Sequence, residues 1–136
     1  MNTIEKNKAL INHYNNEFIV KGNMEVFNEV IGDDFVNHTA GIGAPTGGEG
    51  VLYFFNEILR PSFSDLQVVT HHMIGEGDLV TTYKSFHCIH QNEFMGIAAT
   101  GRKIIMDVMD IIRVKDGRFT EHWHVMDWTS VMSQLK

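Results

Sequence analysis

The chain has 136 residues, of which 43% are hydrophobic, and its 11 Lys and Arg stand against 17 Asp and Glu for a formal net charge of −6. This length is typical of one domain that buries its own core, so we expect a single domain over residues 1–136. The negative charge, with no basic stripe, argues against nucleic acid as a partner.

Cysteine usage and hydropathy narrow the class of protein further. The single cysteine, Cys88, excludes an intrachain disulfide framework and any site built from several thiolates. The first residues contain no signal-peptide core, and no apolar run approaches the length of a membrane span. These features predict a cytoplasmic protein without a membrane partner.

The first half of the chain shows helical periodicity. Apolar residues recur at spacings of three and four from about Thr3 to Lys21 and stop at Gly22, which predicts an amphipathic helix. Further helices are expected over 24–30 and 49–59, the second stopping before Pro61. A short strand over 33–39 and a glycine-rich loop over 41–48 lie between them.

The second half reads as strands, over 66–74, 79–90, 104–114 and 118–126, followed by a short helix over 129–135. Because helices come first and consecutive strands follow, the sequence predicts an α+β fold with an antiparallel or mixed sheet.

The most informative segment is the hairpin around Asp116-Gly117, a strong signal for a two-residue turn. An uninterrupted register pairs Lys115 with Arg118 and, further along, Met109 with His124. Directly opposed residues share a face. The hairpin therefore predicts a sulfur-rich apolar face carrying His122, His124 and Met109 with Asp107 diagonal to His124, and an opposite face carrying Trp123 and Asp110.

Several segments, in their order and spacing, resemble the SnoaL-like polyketide cyclase family within the nuclear transport factor two-like superfamily. The resemblance rests on Phe63-Ser64-Asp65, Gly75-Glu76-Gly77-Asp78, His90 with the segment Glu93 to Arg102, Asp110-Ile111-Ile112-Arg113, Asp116-Gly117-Arg118 and Glu121-His122-Trp123.

This resemblance implies a fold and an activity. The fold would be a strongly curved sheet forming a cone-shaped barrel around N-terminal helices, with one apolar pocket, and the protein would be a homodimer. The activity would be an aldol-type ring closure or isomerisation of a small hydrophobic carbonyl substrate, with no metal and no organic cofactor.

The resemblance also carries over individual residues. His90 and His122 match pocket histidines of the family, whereas His124 stands where the family has its catalytic aspartate and Cys88 where it has a polar amide. Histidine, with an ordinary pKa of about 6.5, is suited to act as a general base. We therefore predict His124, His122, His90 and Asp107 as catalytic residues, with Asp107 orienting His124, and His38, Cys88, Phe94 and Met109 as substrate contacts.

Two other functions remain open at this stage. The fold could hold a small hydrophobic molecule without catalysis, since paired strand histidines can simply bond backbone or water. Alternatively, His90, His122, His124 and Asp107 are ligand types suited to zinc or iron.

Overall fold

The computed structural model describes all residues, 1–136, and begins with helices. Helix α1 spans Thr3–Tyr14 and continues as a π-helical segment over Asn15–Val20, and α2 spans Met24–Val30. Helix α3 spans Gly48–Leu52, continues as a π-helical segment over Tyr53–Leu59, and ends in the short helix α4, Arg60–Ser62. The last helix, α5, spans Trp128–Gln134. None of these helices combines the length and the apolar character needed to cross a membrane.

Five strands form one mixed sheet. They are β1 (Ile31–Asn37), β2 (Phe63–Glu76), β3 (Leu79–His90), β4 (Lys103–Lys115) and β5 (Arg118–Met126). Their order is β1-β5-β4-β3-β2, with β1 parallel to β5 and every other pair antiparallel. The α+β fold with helices on a mixed sheet is confirmed, but the sheet stays open, with β1 and β2 as its two edges.

The core lies between the helices and one face of this sheet, hereafter the inner face. Burial alternates along β4, where every second residue from Ile104 to Val114 is buried, as expected for a strand with one covered face. The helices contribute Ile11, Phe18 and Phe27 to the same cluster. The inner face therefore holds both the core and any enclosed site.

The register of the β4–β5 hairpin differs from the one predicted by the sequence. Lys115 pairs with Arg118 and Val114 with Phe119, but Arg113 pairs with Glu121, so Thr120 is an extra residue in β5. This β-bulge shifts all later pairs by one position.

The shift reverses the predicted faces of β4. His122 pairs with Ile112 and His124 with Asp110, in place of Ile111 and Met109. A one-residue slip moves a strand's whole set of side chains to the other face, so the prediction that Asp107 and Met109 accompany the histidines is wrong. Asp110 takes that place.

Candidate functional site

A cavity of about 450 Å³ lies between the helices and the inner face. Of the 26 residues that line it, 17 are hydrophobic, which is the composition expected of a site for a small apolar molecule with few polar anchors. Both π-helical segments contribute to its wall, through Ile19 and through Tyr53, Phe54, Phe55 and Ile58.

The polar groups of the cavity centre on Asp110. Its side chain is buried, and Oδ2 lies 3.1 Å from Nζ of the equally buried Lys84 and 3.5 Å from Nε2 of His122. Lys84 Nζ also donates to Oδ1 of Asn15 at 3.3 Å. Asp110, Lys84 and His122 all line the cavity, so a charged cluster lies inside a mostly apolar wall.

Asp110 remains ionised in this setting. Burial alone would raise the pKa of the carboxyl group, but the charge of Lys84 and the proximity of His122 outweigh it and hold the pKa below its ordinary value. Burial, and after it the negative charge of Asp110, raise the pKa of Tyr14, another residue that lines the cavity. Tyr14 is therefore a neutral phenol beside a carboxylate.

His124 is stacked on His122, with ring centroids 5.0 Å apart and planes 7° apart. Burial and then the neighbouring His122 lower the pKa of His124 to about 4, while Asp110 opposes the shift. His124 is therefore neutral at physiological pH. This value corrects the sequence-based expectation of an ordinary pKa near 6.5.

The side chain of Thr39 contacts Nδ1 of His124 and is linked to the protonation of that ring. Oδ1 of Asn37 accepts from the backbone N–H of Thr39 and also lies 3.2 Å from the Thr39 hydroxyl, which can donate its single proton to it. Thr39 Oγ1 accepts the backbone N–H of His124 at 2.8 Å and contacts His124 Nδ1 at 2.8 Å. When that hydroxyl proton is directed to Asn37, Thr39 Oγ1 accepts from Nδ1–H of His124, whereas when it is directed to Nδ1, His124 carries its proton on Nε2.

In the first arrangement the neutral ring of His124 is the Nδ1–H tautomer and its Nε2 is unprotonated. Because His124 lines the cavity, the site contains an imidazole able to accept a proton.

Two of the predicted site residues lie on the opposite, outer face of the sheet. Asp107 pairs with Ser85 and accepts a hydrogen bond from its Oγ at 2.6 Å. Met109 is 56% exposed and shares a separate groove with Asp107, Tyr83 and Val125. Neither residue lines the cavity, because of the bulge at Thr120.

Three more predicted residues are buried on the helix side of the sheet but outside the cavity wall. His90 is fully buried against Phe63, and its Nδ1 accepts from the backbone N–H of Thr100. Phe94 packs between Phe63 and Trp128. The thiol of Cys88 donates to the carbonyl of Ile104 at 3.8 Å, and burial raises its pKa to about 12, so it is not a nucleophile.

His38 is the last of the predicted contacts, and it turns away from the cavity. Its Nε2 lies 2.8 Å from Glu121 and its ring stacks on Trp123 at 4.8 Å. Trp123 therefore packs on the outer face and not against the helices, because it pairs with Ile111 after the bulge.

The candidate metal ligands are not brought together. His122 and His124 share the cavity, but His90 lies outside its wall and Asp107 lies on the outer face. No group of three or more histidine, cysteine or carboxylate side chains has a metal-binding arrangement. The proposed four-residue ligand set is therefore wrong.

Sequence reasoning missed Lys84, Asp110, Thr39 and Tyr14. A signal was present for Lys84, because Lys84, Phe86, Cys88 and His90 have the same parity in one strand and so share a face. The position of Asp110 in the cavity could be predicted only with knowledge of the bulge. The position of Thr39 could be predicted only with knowledge that the end of β1 packs beside β5.

Comparison with known proteins identifies the family. The family model of SnoaL-like polyketide cyclases matches residues 9–135, nearly the whole chain. The protein therefore belongs to the SnoaL-like polyketide cyclase family. A search of curated proteins found no match.

Solved structures agree with this assignment. IdmH from Streptomyces antibioticus, a candidate polyketide cyclase, is 32% identical, with a TM-score of 0.85 over 95% of this chain and 97% of its own. A candidate polyketide cyclase from Bacillus cereus is 26% identical, with a TM-score of 0.80 over 96% and 80% of the two chains. AclR from Streptomyces galilaeus, a candidate hydroxylase, is 22% identical, with a TM-score of 0.78 over 98% and 97%, and shows the fold alone.

Proposed function

We propose that the protein is a cofactor-independent cyclase- or isomerase-type enzyme, in which His124 accepts a proton from the carbon next to a carbonyl group of a small hydrophobic, polyketide-like substrate. The observation that carries this proposal is the contact of Thr39 Oγ1 with Nδ1 of His124, a residue that lines the cavity. In the proposed arrangement Thr39 donates to Asn37 and accepts from Nδ1–H, which leaves Nε2 unprotonated.

The chemistry is that of an enolate. Nε2 of His124 removes the α-proton, and the electron pair of the C–H bond becomes the enolate. In a ring closure, the enolate carbon attacks a second carbonyl of the same molecule, forming a C–C bond. The resulting alkoxide takes the proton back from the imidazolium, so the enzyme returns to its starting state.

The surroundings of His124 support this role. Asp110 is directly opposite His124 in the sheet, and its negative charge favours the imidazolium that forms during the reaction. The low pKa of about 4 gives His124 a basicity close to that of the aspartate expected at this position from the family resemblance. The apolar wall limits access of water to the enolate.

Proton exchange in deuterated buffer tests the proposal. The probe is ethyl (2-naphthoyl)acetate, a hydrophobic β-keto ester, and NMR follows loss of its α-proton at pH about 5, where an ordinary histidine is mostly protonated. His124 is neutral there. We expect the parent protein to accelerate exchange and His124→Ala to lower the rate by about 100-fold or more.

His38→Ala is the matched control, because His38 lies on the outer face. It should exchange at the rate of the parent. Equal rates for His124→Ala and the parent would contradict the base role and favour a non-catalytic binding protein on the same fold.

A further inference from the structure

One polar atom of the charged cluster has no partner within the protein. Oδ2 of Asp110 is held by Lys84 and His122, whereas Oδ1 is buried and accepts no hydrogen bond. A buried carboxylate oxygen without a donor is costly, because its hydration is lost and nothing replaces it. Asp110 as a whole is 4% exposed and lines the cavity, so its carboxylate group lies at the cavity wall.

The protein itself does not supply the missing donor. Thr82 lies directly opposite Asp110 in the β3–β4 pair, yet its hydroxyl is also buried and makes no hydrogen bond. Nδ2 of Asn15, whose Oδ1 accepts from Lys84, is likewise without an acceptor. These neighbouring donors leave Oδ1 free.

The charge balance indicates what kind of donor belongs there. Asp110 already has the ammonium group of Lys84 at 3.1 Å, and both side chains are buried. A second cation would meet the charge of Lys84 in an apolar cavity, where repulsion is poorly screened. A neutral hydroxyl avoids this repulsion and still forms a charge-assisted hydrogen bond with the carboxylate.

We propose that Asp110 determines substrate specificity, with Oδ1 accepting a hydrogen bond from a hydroxyl group of the ligand, so that the cavity selects hydroxylated hydrophobic carbonyl compounds such as phenols or enols. The carbonyl part of this class rests on the proposed function. Because Asp110 and His124 are directly opposed, the ligand hydroxyl bound by Asp110 and the carbonyl that reacts at His124 are close to each other in the cavity.

Three aromatic ketones test the inference on the unmodified protein. Isothermal titration calorimetry compares 2-acetonaphthone, 6-hydroxy-2-acetonaphthone and 6-methoxy-2-acetonaphthone, of which only the second can donate a hydrogen bond. Hydrogen bonds to charged groups predict that the hydroxy compound binds about tenfold or more tightly than both others. Equal affinities of the three would overturn the inference about the hydroxyl group. They would leave intact the proposed function, in which the ligand is a small hydrophobic carbonyl compound.

Variants test whether Asp110 causes the preference for the hydroxy compound. Asp110→Asn should bring the affinity ratio close to one. Since this change leaves Lys84 buried without a counter-ion, the double variant Lys84→Met/Asp110→Asn is measured beside it, with circular dichroism to verify folding. Tyr83→Phe, which removes a hydroxyl group from the outer face of the sheet, is the control and should keep the preference.

Two further results would overturn the inference. One is a hydroxyl preference that survives in a folded Asp110 variant, and the other is a preference lost in Tyr83→Phe. Failure of all three ketones to bind would contradict the proposed function as well. Equal binding of all three would contradict only the role of Asp110 in specificity, so the two failures are distinguishable. If a variant does not fold, the affinities of the three ketones for the unmodified protein still test whether the cavity prefers a ligand hydroxyl.

Discussion

Asp110 and His124 lie directly opposite each other in the β4–β5 pair, and both side chains face the cavity. A buried anion stands next to a neutral imidazole, in a position from which it stabilises the protonated form of that imidazole. This relationship exists only because Thr120 bulges out of β5. Several measurable consequences depend on it and on the contacts around it.

The first prediction concerns Thr39. In Thr39→Val the side-chain shape is kept but the hydroxyl is lost, so nothing holds the proton of His124 on Nδ1. We expect the exchange rate with the β-keto ester to fall by about tenfold or more. Thr39→Ser, which retains the hydroxyl, should restore most of the activity. A fully active Thr39→Val protein would show that the tautomer does not matter.

The second prediction concerns stability against pH. The pKa of His124 is about 4 in the folded chain and near 6.5 in the unfolded chain. Between these values the unfolded chain binds a proton that the folded chain does not, so the free energy of unfolding rises as pH increases from about 4 to about 6.5.

Urea denaturation at a series of pH values measures this slope. His124→Gln should flatten it within that window, whereas His13→Gln, on an exposed part of α1, should not. An identical slope in His124→Gln and the parent would show that His124 titrates alike in the folded and unfolded chains.

The third prediction concerns the buried ion pair. Asp110→Ala leaves the ammonium of Lys84 without its counter-ion in the interior, and we expect the free energy of unfolding to fall by about 3–5 kcal/mol. Replacing both residues, as Lys84→Met/Asp110→Leu, should recover much of this loss. Glu17→Ala breaks the exposed pair with Lys21 and serves as the control, with little expected effect. Equal effects at the two sites would contradict the account of the cluster.

The fourth prediction concerns the outer face of the sheet. Met109 and Val125 are opposed there and are 56% and 72% exposed, and Ile105, on the same face of β4, is 45% exposed. We propose that a second copy of the chain covers this apolar patch, because exposed apolar patches, unlike single exposed apolar residues, mark interaction sites. Sedimentation at micromolar concentration should show a dimer that Val125→Lys weakens. A monomer of 15.5 kDa in the parent protein would contradict the proposal.

Much of the fold could be predicted from the sequence, because each element has a local signal. Apolar spacing marked the helix that begins at Thr3, and the Asp116-Gly117 turn fixed the hairpin. The strand that begins at Phe63 was expected to begin at Leu66, since its first residues lie beside Pro61 and lack a clear alternation. Local signals thus located elements well and their ends less well.

The site was harder to predict, because it depends on pairing between strands. Nothing in the sequence distinguishes Thr120 as a bulge residue from its neighbours, yet the bulge places Asp110 instead of Asp107 beside the histidines. The bulge also places Glu121 on the outer face, where it lies 2.7 Å from Arg113. That ion pair is a physical reason for the shifted register, but it becomes visible only once the strands are aligned.

Nitrogen-15 NMR of the His124 ring tests the central claim most directly, because it reports the protonation of each ring nitrogen. At pH about 6 we predict a neutral ring with a proton on Nδ1 and an unprotonated Nε2, and a change to the doubly protonated form only near pH 4. A proton on Nε2 at pH 6, in either the neutral or the charged ring, would contradict the assignment of His124 as the proton acceptor.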